Sequence, residues 1–179
     1  MSDHLGLVYK VLFLMPAFVA NASPLVTKSF LKKRHPVDFG KNFIDGRRIF
    51  GDNKSWEGVI IGILVGTAVG TALTPLYGCH YIKLVVAGFM QGVGSMIGDL
   101  VNSFLKRRLG INPGGPLPFL DQTSFIVTSL LILKSVRIDK LVGLDLGLVD
   151  MAIIVGIALV LHPLTNYIAY LLGLKEVPY

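Results

Sequence analysis

The stretch Trp56-Glu57-Gly58-Val59-Ile60-Ile61-Gly62-Ile63-Leu64-Val65-Gly66-Thr67-Ala68-Val69-Gly70-Thr71-Ala72-Leu73-Thr74-Pro75-Leu76-Tyr77 carries a single charge, Glu57, at its start. A bilayer core is crossed by about 20 apolar residues in a helix, and this run is long enough. Gly58, Gly62, Gly66 and Gly70 recur at every fourth position and share one helix face. Such a strip lets a second helix approach backbone to backbone, from the same chain or from another subunit.

Four further apolar runs flank this one. They cover about 5–30, with Pro16 as a kink, about 82–108, about 119–136, and about 146–173, with His162-Pro163 as a second kink. Polar loops fall at about 31–55 and 109–118. The expected fold is an all-α integral membrane protein, one transmembrane domain over 1–179, with about five transmembrane helices and a cytoplasmic polar site. Composition agrees: 53% of residues are hydrophobic, 16% are charged and mean hydropathy is +0.66. Soluble domains carry about 25% charge. Ala20-Asn21-Ala22 resembles a cleavage site, but Asp3 and His4 stand where a signal peptide is basic, and Lys10 lies inside the run. A retained first helix is therefore expected.

The single cysteine, Cys79, excludes a disulfide framework and a cysteine-based zinc site. The net charge of +6 reads as attraction to anionic lipid and to a phosphorylated substrate. The basic clusters lack interleaved aromatics, so no nucleic-acid partner is expected. Most Lys and Arg fall between Lys28 and Lys54, at Lys106 to Arg108 and at Lys175. The positive-inside rule puts these in the cytoplasm and the N-terminus outside a cell membrane.

Three constellations carry chemistry. In Gly98-Asp99-Leu100-Val101-Asn102-Ser103-Phe104-Leu105-Lys106-Arg107-Arg108, helical spacing brings Asp99, Ser103, Lys106 and Arg107 to one face. A carboxylate at the end of an apolar helix is costly unless paired or functional. Asp121 opens the next apolar run, and the Gly/Pro loop Gly110 to Pro118 is able to return it toward Asp99. Two such carboxylates suit Mg²⁺, which completes its octahedron with water and phosphate oxygens. The stretch Asp38 to Gly58 alternates glycine with basic residues ahead of a helix, which favours phosphate. It supplies Asn42, Arg47, Arg48, Lys54, Trp56 and Glu57 as substrate-binding candidates. No Walker A loop, GxGxxG, GxSxG or HExxH occurs, and His35, His80 and His162 lack partners at catalytic spacing.

The ordered set Lys54-Ser55-Trp56-Glu57-Gly58, Gly98-Asp99-Leu100, Ser103-x-x-Lys106-Arg107 and Leu120-Asp121 resembles the membrane cytidylyltransferases that make CDP-activated lipids. The chain is more similar to their archaeal ether-lipid branch, the CDP-archaeol synthase family. That likeness runs through Asp38-Phe39-Gly40-Lys41, Asp45-Gly46-Arg47-Arg48, the Pro116-Leu117-Pro118 loop, Asn166-Tyr167 and Lys175-Glu176-Val177-Pro178. Where the bacterial signature has His-Gly-Gly, this chain has Gly114-Gly115-Pro116, and Ser124 stands where a second Asp is expected. The resemblance implies that CTP and a membrane lipid phosphate, the unsaturated bis-geranylgeranyl ether lipid of archaea, give CDP-lipid and pyrophosphate with Mg²⁺. It implies Asp99 and Asp121 as metal ligands and, with Lys106, as catalytic residues, and it implies Lys106, Arg107 and Lys54 as triphosphate ligands, with Ser103 beside them.

Two other readings are weighed against this. An alcohol phosphotransferase consuming CDP-lipids would share the Asp45-Gly46-Arg47 start, but its further acidic residues are missing. A small transporter or channel would carry polar groups along its helix middles, whereas here they collect at helix ends.

Overall fold

The computed structural model describes residues 3–31, 33–174 and 177. Lys32 of the basic stretch and Lys175, Glu176 and Pro178 of the tail lie outside the described residues. The elements are α1 (Asp3–Phe13), α2 (Met15–Phe30), α3 (Trp56–Ala72), α4 (Thr74–Tyr77), α5 (Tyr81–Arg108), α6 (Leu120–Ser135), α7 (Ile138–Leu141) and α8 (Leu148–Leu171). The described residues contain no strand. The all-α membrane reading therefore holds. Three helical segments are long and apolar enough to span: Gly6–Leu25 across α1 and α2, α5, and α8. α3 has 17 residues and α6 has 16. At 1.5 Å per residue each rises about 25 Å, a little short of a ~30 Å hydrocarbon core.

Prolines set the interruptions, and side chains repair them. The run expected as one helix over 56–77 ends at Ala72, because Pro75 has no N–H for the carbonyl of Thr71. The Thr74 hydroxyl donates to that carbonyl instead, at 2.6 Å. Pro24 deprives the Ala20 carbonyl of its donor in the same way, and the Ser23 hydroxyl takes its place at 2.9 Å. The first expected helix breaks at Leu14, two residues before Pro16. There the fully buried Gln91 of α5 donates to the Phe13 carbonyl at 2.8 Å and accepts from the Ala17 N–H at 3.3 Å. Ser95 adds a bond to the Ala17 carbonyl at 3.1 Å. Hydrocarbon offers no water to the freed groups, so neighbouring side chains must supply the bonds.

α5 is the central helix. The glycine strip of α3 lies against Gly88 and Gly92 of α5, so the strip packs within the chain. A Cβ at Gly66 would stand 3.0 Å from the Gly92 Cα, and one at Gly70 would stand 2.7 Å from the Gly88 Cα. On the other side of α5, a Cβ at Gly94 would stand 2.6 Å from the Ser129 Cα of α6. Lipid gives no hydrophobic drive between helices, so this close packing, with its dispersion contacts, holds the bundle. Away from the basic loop, Lys134 binds the buried Asp139 at 2.8 Å and the Leu146 carbonyl at 2.9 Å, which ties α6, α7 and the start of α8 together. Lys10 of α1 pairs with Asp150 of α8 at 2.7 Å.

Candidate functional site between two loops and the end of α5

The 31–55 loop is built around Asp38, whose side chain is fully buried. Its carboxylate accepts from Arg48 Nη2 at 2.6 Å and Nε at 3.3 Å, and from the N–H groups of Gly40, Phe50 and Gly51 at 3.1, 3.0 and 2.9 Å. Burial alone would push this carboxyl up. The Arg48 guanidinium and the three N–H donors outweigh it and hold Asp38 well below the usual carboxylate range. Arg48 also reaches Asp52 at 2.6 Å. Backbone pairing of Asn42 with Arg48 and of Pro36 with Ser55 closes the loop, and the Ser55 hydroxyl caps α3 at the Gly58 N–H.

Several candidates from the sequence are engaged within this loop or between it and α5. Arg47 donates to the carbonyls of Arg107 at 3.2 Å and Arg108 at 2.7 Å, capping the C-terminus of α5. Arg108 pairs with Asp45 at 3.0 Å between the rings of Phe43 and Phe104. Glu57 accepts from the His35 N–H and meets His35 Nδ1 at 2.5 Å. Asn42 and Trp56 are exposed, and Trp56 lies against Phe39 with ring centroids 6.3 Å apart.

The expected α5 face is present, divided between two neighbours. Asp99 meets Lys54 Nζ at 2.5 Å. One turn on, the Ser103 hydroxyl donates to the Phe50 carbonyl at 2.9 Å. Arg107, one turn further, is buried close to Gly51. Its Nε has no hydrogen-bond partner, and no carboxylate among the described residues pairs with it. Asp121 does return to α5 through the Gly/Pro loop. It forms an ion pair with Lys106 and accepts from Asn102 Nδ2 at 2.6 Å and from the Leu117 N–H at 2.8 Å. Lys106 also donates to the Gly115 carbonyl at 2.9 Å. Phe119, with φ of 65°, makes the turn that presents Leu117 to Asp121.

Asn102 is the residue that the sequence reading missed. It is buried, and its Oδ1 has no donor. The signal was its place one turn after Asp99, but an uncharged amide among apolar residues did not compete with the cations beside it. On another flank of α5, Ile97, Leu100, Val101 and Phe104 join Ile49 and Phe50 in an entirely apolar cleft of about 380 Å³. The end of α5 thus carries two lysine-paired carboxylates and an uncompensated guanidinium, and the Ser103–Phe50 bond joins this polar face to the apolar groove. That is a site for a polyanion with an apolar tail.

Comparison with known proteins gives one family. The model described as "CarS-like: CDP-archaeol synthase" matches residues 4–179. The chain is 40% identical over 179 residues, the whole of both chains, to a CDP-archaeol synthase of Saccharolobus solfataricus. It is 45% identical over 168 residues to one of Pyrobaculum aerophilum, covering 94% of this chain and 96% of that one. A solved structure of "an intramembrane enzyme for archaeal membrane lipids biosynthesis" superposes with a TM-score of 0.75 at 33% identity, over 87% of this chain and 91% of that one.

Proposed function

The chain belongs to the CDP-archaeol synthase family, and on that premise we propose that it transfers the cytidylyl group of CTP to an ether-linked membrane lipid phosphate. A phosphate oxygen of the lipid attacks the α-phosphorus, the bond from that phosphorus to the β-phosphate oxygen breaks, and pyrophosphate leaves. The observation that carries this reading is the junction, through the Ser103–Phe50 bond, of the polar end of α5 and its Lys54–Asp99 and Lys106–Asp121 pairs with the apolar cleft on another flank of that helix. A lipid phosphate needs both halves of that junction.

A phosphate monoester is already anionic near neutral pH and needs little general-base help. What the reaction needs is charge neutralisation where two anions meet. In our reading Lys54, Lys106 and the uncompensated Arg107 bind the triphosphate. Ser103 fixes the Phe50 backbone at the cleft, and the cleft takes the first part of the lipid tails. Arg47, Arg48 and Glu57 support the loop rather than the substrate: Arg47 ties it to the carbonyls at the end of α5, Arg48 binds Asp38 and Glu57 binds His35.

Mg²⁺ fits the donor set. Asp99, Asp121 and the donor-free Oδ1 of Asn102 are hard oxygen ligands, and both carboxylates already attract a cation in the form of a lysine. The described residues contain no group of three or more His, Cys, Asp or Glu able to hold a metal. Mg²⁺ asks for less, using one or two carboxylates with water and substrate phosphates. Bound there, it would supply Lewis-acid neutralisation of the phosphates. The basic loop supports a cytoplasmic placement of the site.

The test is turnover in detergent with Mg²⁺, labelled CTP and, in parallel, ether-linked and ester-linked lipid phosphates. CDP-lipid formation that EDTA abolishes, and that prefers the ether lipid, is expected. No product with either lipid, together with no CTP-dependent rise in melting temperature, would overturn the reading.

A further inference from the structure

Each carboxylate of the site is closed by a lysine from a different segment. Asp99 on α5 is held by Lys54 of the loop before α3 at 2.5 Å, and Asp121 on α6 is held by Lys106 of α5. All four side chains are largely shielded, none more than 28% exposed. These are not surface pairs that water screens to nothing. A divalent cation entering alone would have to displace an ammonium from each carboxylate and leave it with no counter-ion, next to Arg107, which has none already. A triphosphate removes that cost by giving the lysines and Arg107 phosphate oxygens to bind.

Resting on the function proposed above, we propose that Lys54 and Lys106 act as resident counter-ions. They keep Asp99 and Asp121 closed to a free divalent cation until a nucleotide triphosphate draws the ammoniums away. Cation and nucleotide then enter together, and the protein alone holds the cation weakly. Asn102 is the fixed element of this exchange. It keeps Asp121 oriented through Nδ2 when Lys106 moves, and it offers the free Oδ1 to the incoming cation. Lys106 has a second partner, the Gly115 carbonyl, so its departure also breaks one of the bonds that tie the Gly/Pro loop to α5.

The test uses Mn²⁺ as the probe, counted by electron paramagnetic resonance of the free ion, on full-length protein in detergent without nucleotide. Wild type is expected to bind Mn²⁺ weakly. Lys54→Met and Lys106→Met are each expected to bind it at least tenfold more tightly, and Asp99→Asn added to Lys54→Met should cancel that gain. CTP retention by equilibrium dialysis in EDTA should fall in both lysine variants. Should a Met variant fail to fold, Lys54→Gln and Lys106→Gln provide the same reading. Lysine variants that bind Mn²⁺ no more tightly than wild type would overturn the inference. If wild type still turns over CTP in that case, the exchange is wrong and the function stands. If wild type neither binds nor turns over CTP, the functional reading fails on its own ground.

Discussion

Asn102 donates to Asp121 through Nδ2 and leaves Oδ1 buried without a donor. Turning the amide over would set oxygen against oxygen, so the carboxylate fixes its orientation. A residue that orients a ligand typically accounts for 10–100-fold in metal affinity or activity. Asn102→Leu is therefore expected to lose about 10–100-fold in turnover at subsaturating Mg²⁺, with excess Mg²⁺ recovering part of the loss. Rates measured across a Mg²⁺ titration check this. Asp38 is the counterpart in stability. Asp38→Asn removes the charge that Arg48 and three N–H groups engage, and breaking such a buried pair costs about 3–5 kcal/mol. Its pH dependence has a definite sign. The folded-state carboxyl titrates below its usual value near 4, so the contribution is full above about pH 4 and is lost as pH falls further through the folded-state value. On this account melting temperature should change little between about pH 6 and 5 and fall progressively below about pH 4 for wild type, and much less for Asp38→Asn.

At the scale of elements, the glycine strip and the proline repairs decide how well the helices hold. Gly66→Val puts methyl groups where the Gly92 backbone already lies 3.0 Å from a Cβ, and overpacking of that kind costs about 1–3 kcal/mol. Gln91→Leu strips the Phe13 carbonyl of its donor inside the membrane, and an unsatisfied buried acceptor costs about 1–3 kcal/mol. Detergent melting curves of both variants should fall below wild type, with Gln91→Leu showing faster hydrogen exchange around Leu14. The helices themselves were legible in the sequence because hydrocarbon demands long uncharged runs. The strip was legible because a four-residue period survives folding unchanged. The breaks at Leu14 and Leu73 were not. A proline marks a weak point, but where the helix opens depends on which side chain is near enough to replace the lost bond, and Gln91 is distant in sequence. The α5 face was legible for the same periodic reason. The tasks of Arg47 and Arg48 were not, since a charge run does not reveal that one arginine will cap α5 and the other will neutralise Asp38.

For the whole molecule, the polar groups sort into two kinds. Gln91, Ser95 and Ser129 lie buried among the helices, but each is bonded to backbone of a neighbouring helix, so they stitch the bundle and line no transport path. The Arg107 guanidinium, the Asn102 Oδ1 and the two lysine-paired carboxylates gather at one end, where α5 meets the 31–55 loop and the Gly/Pro loop. The positive-inside bias predicts that this end faces the cytoplasm. The turn 78–80 lies at the other end of α3 and α5 and carries Cys79, the single cysteine of the chain. An impermeant maleimide added to intact cells should therefore modify Cys79 in wild type. In a Cys79→Ser background carrying Lys33→Cys, an exposed position at the start of the basic loop, it should react only after the membrane is opened. Labelling in the reverse order would put the nucleotide site outside. Cytoplasmic CTP could not reach it there, so the orientation and the proposed reaction stand or fall together at this scale.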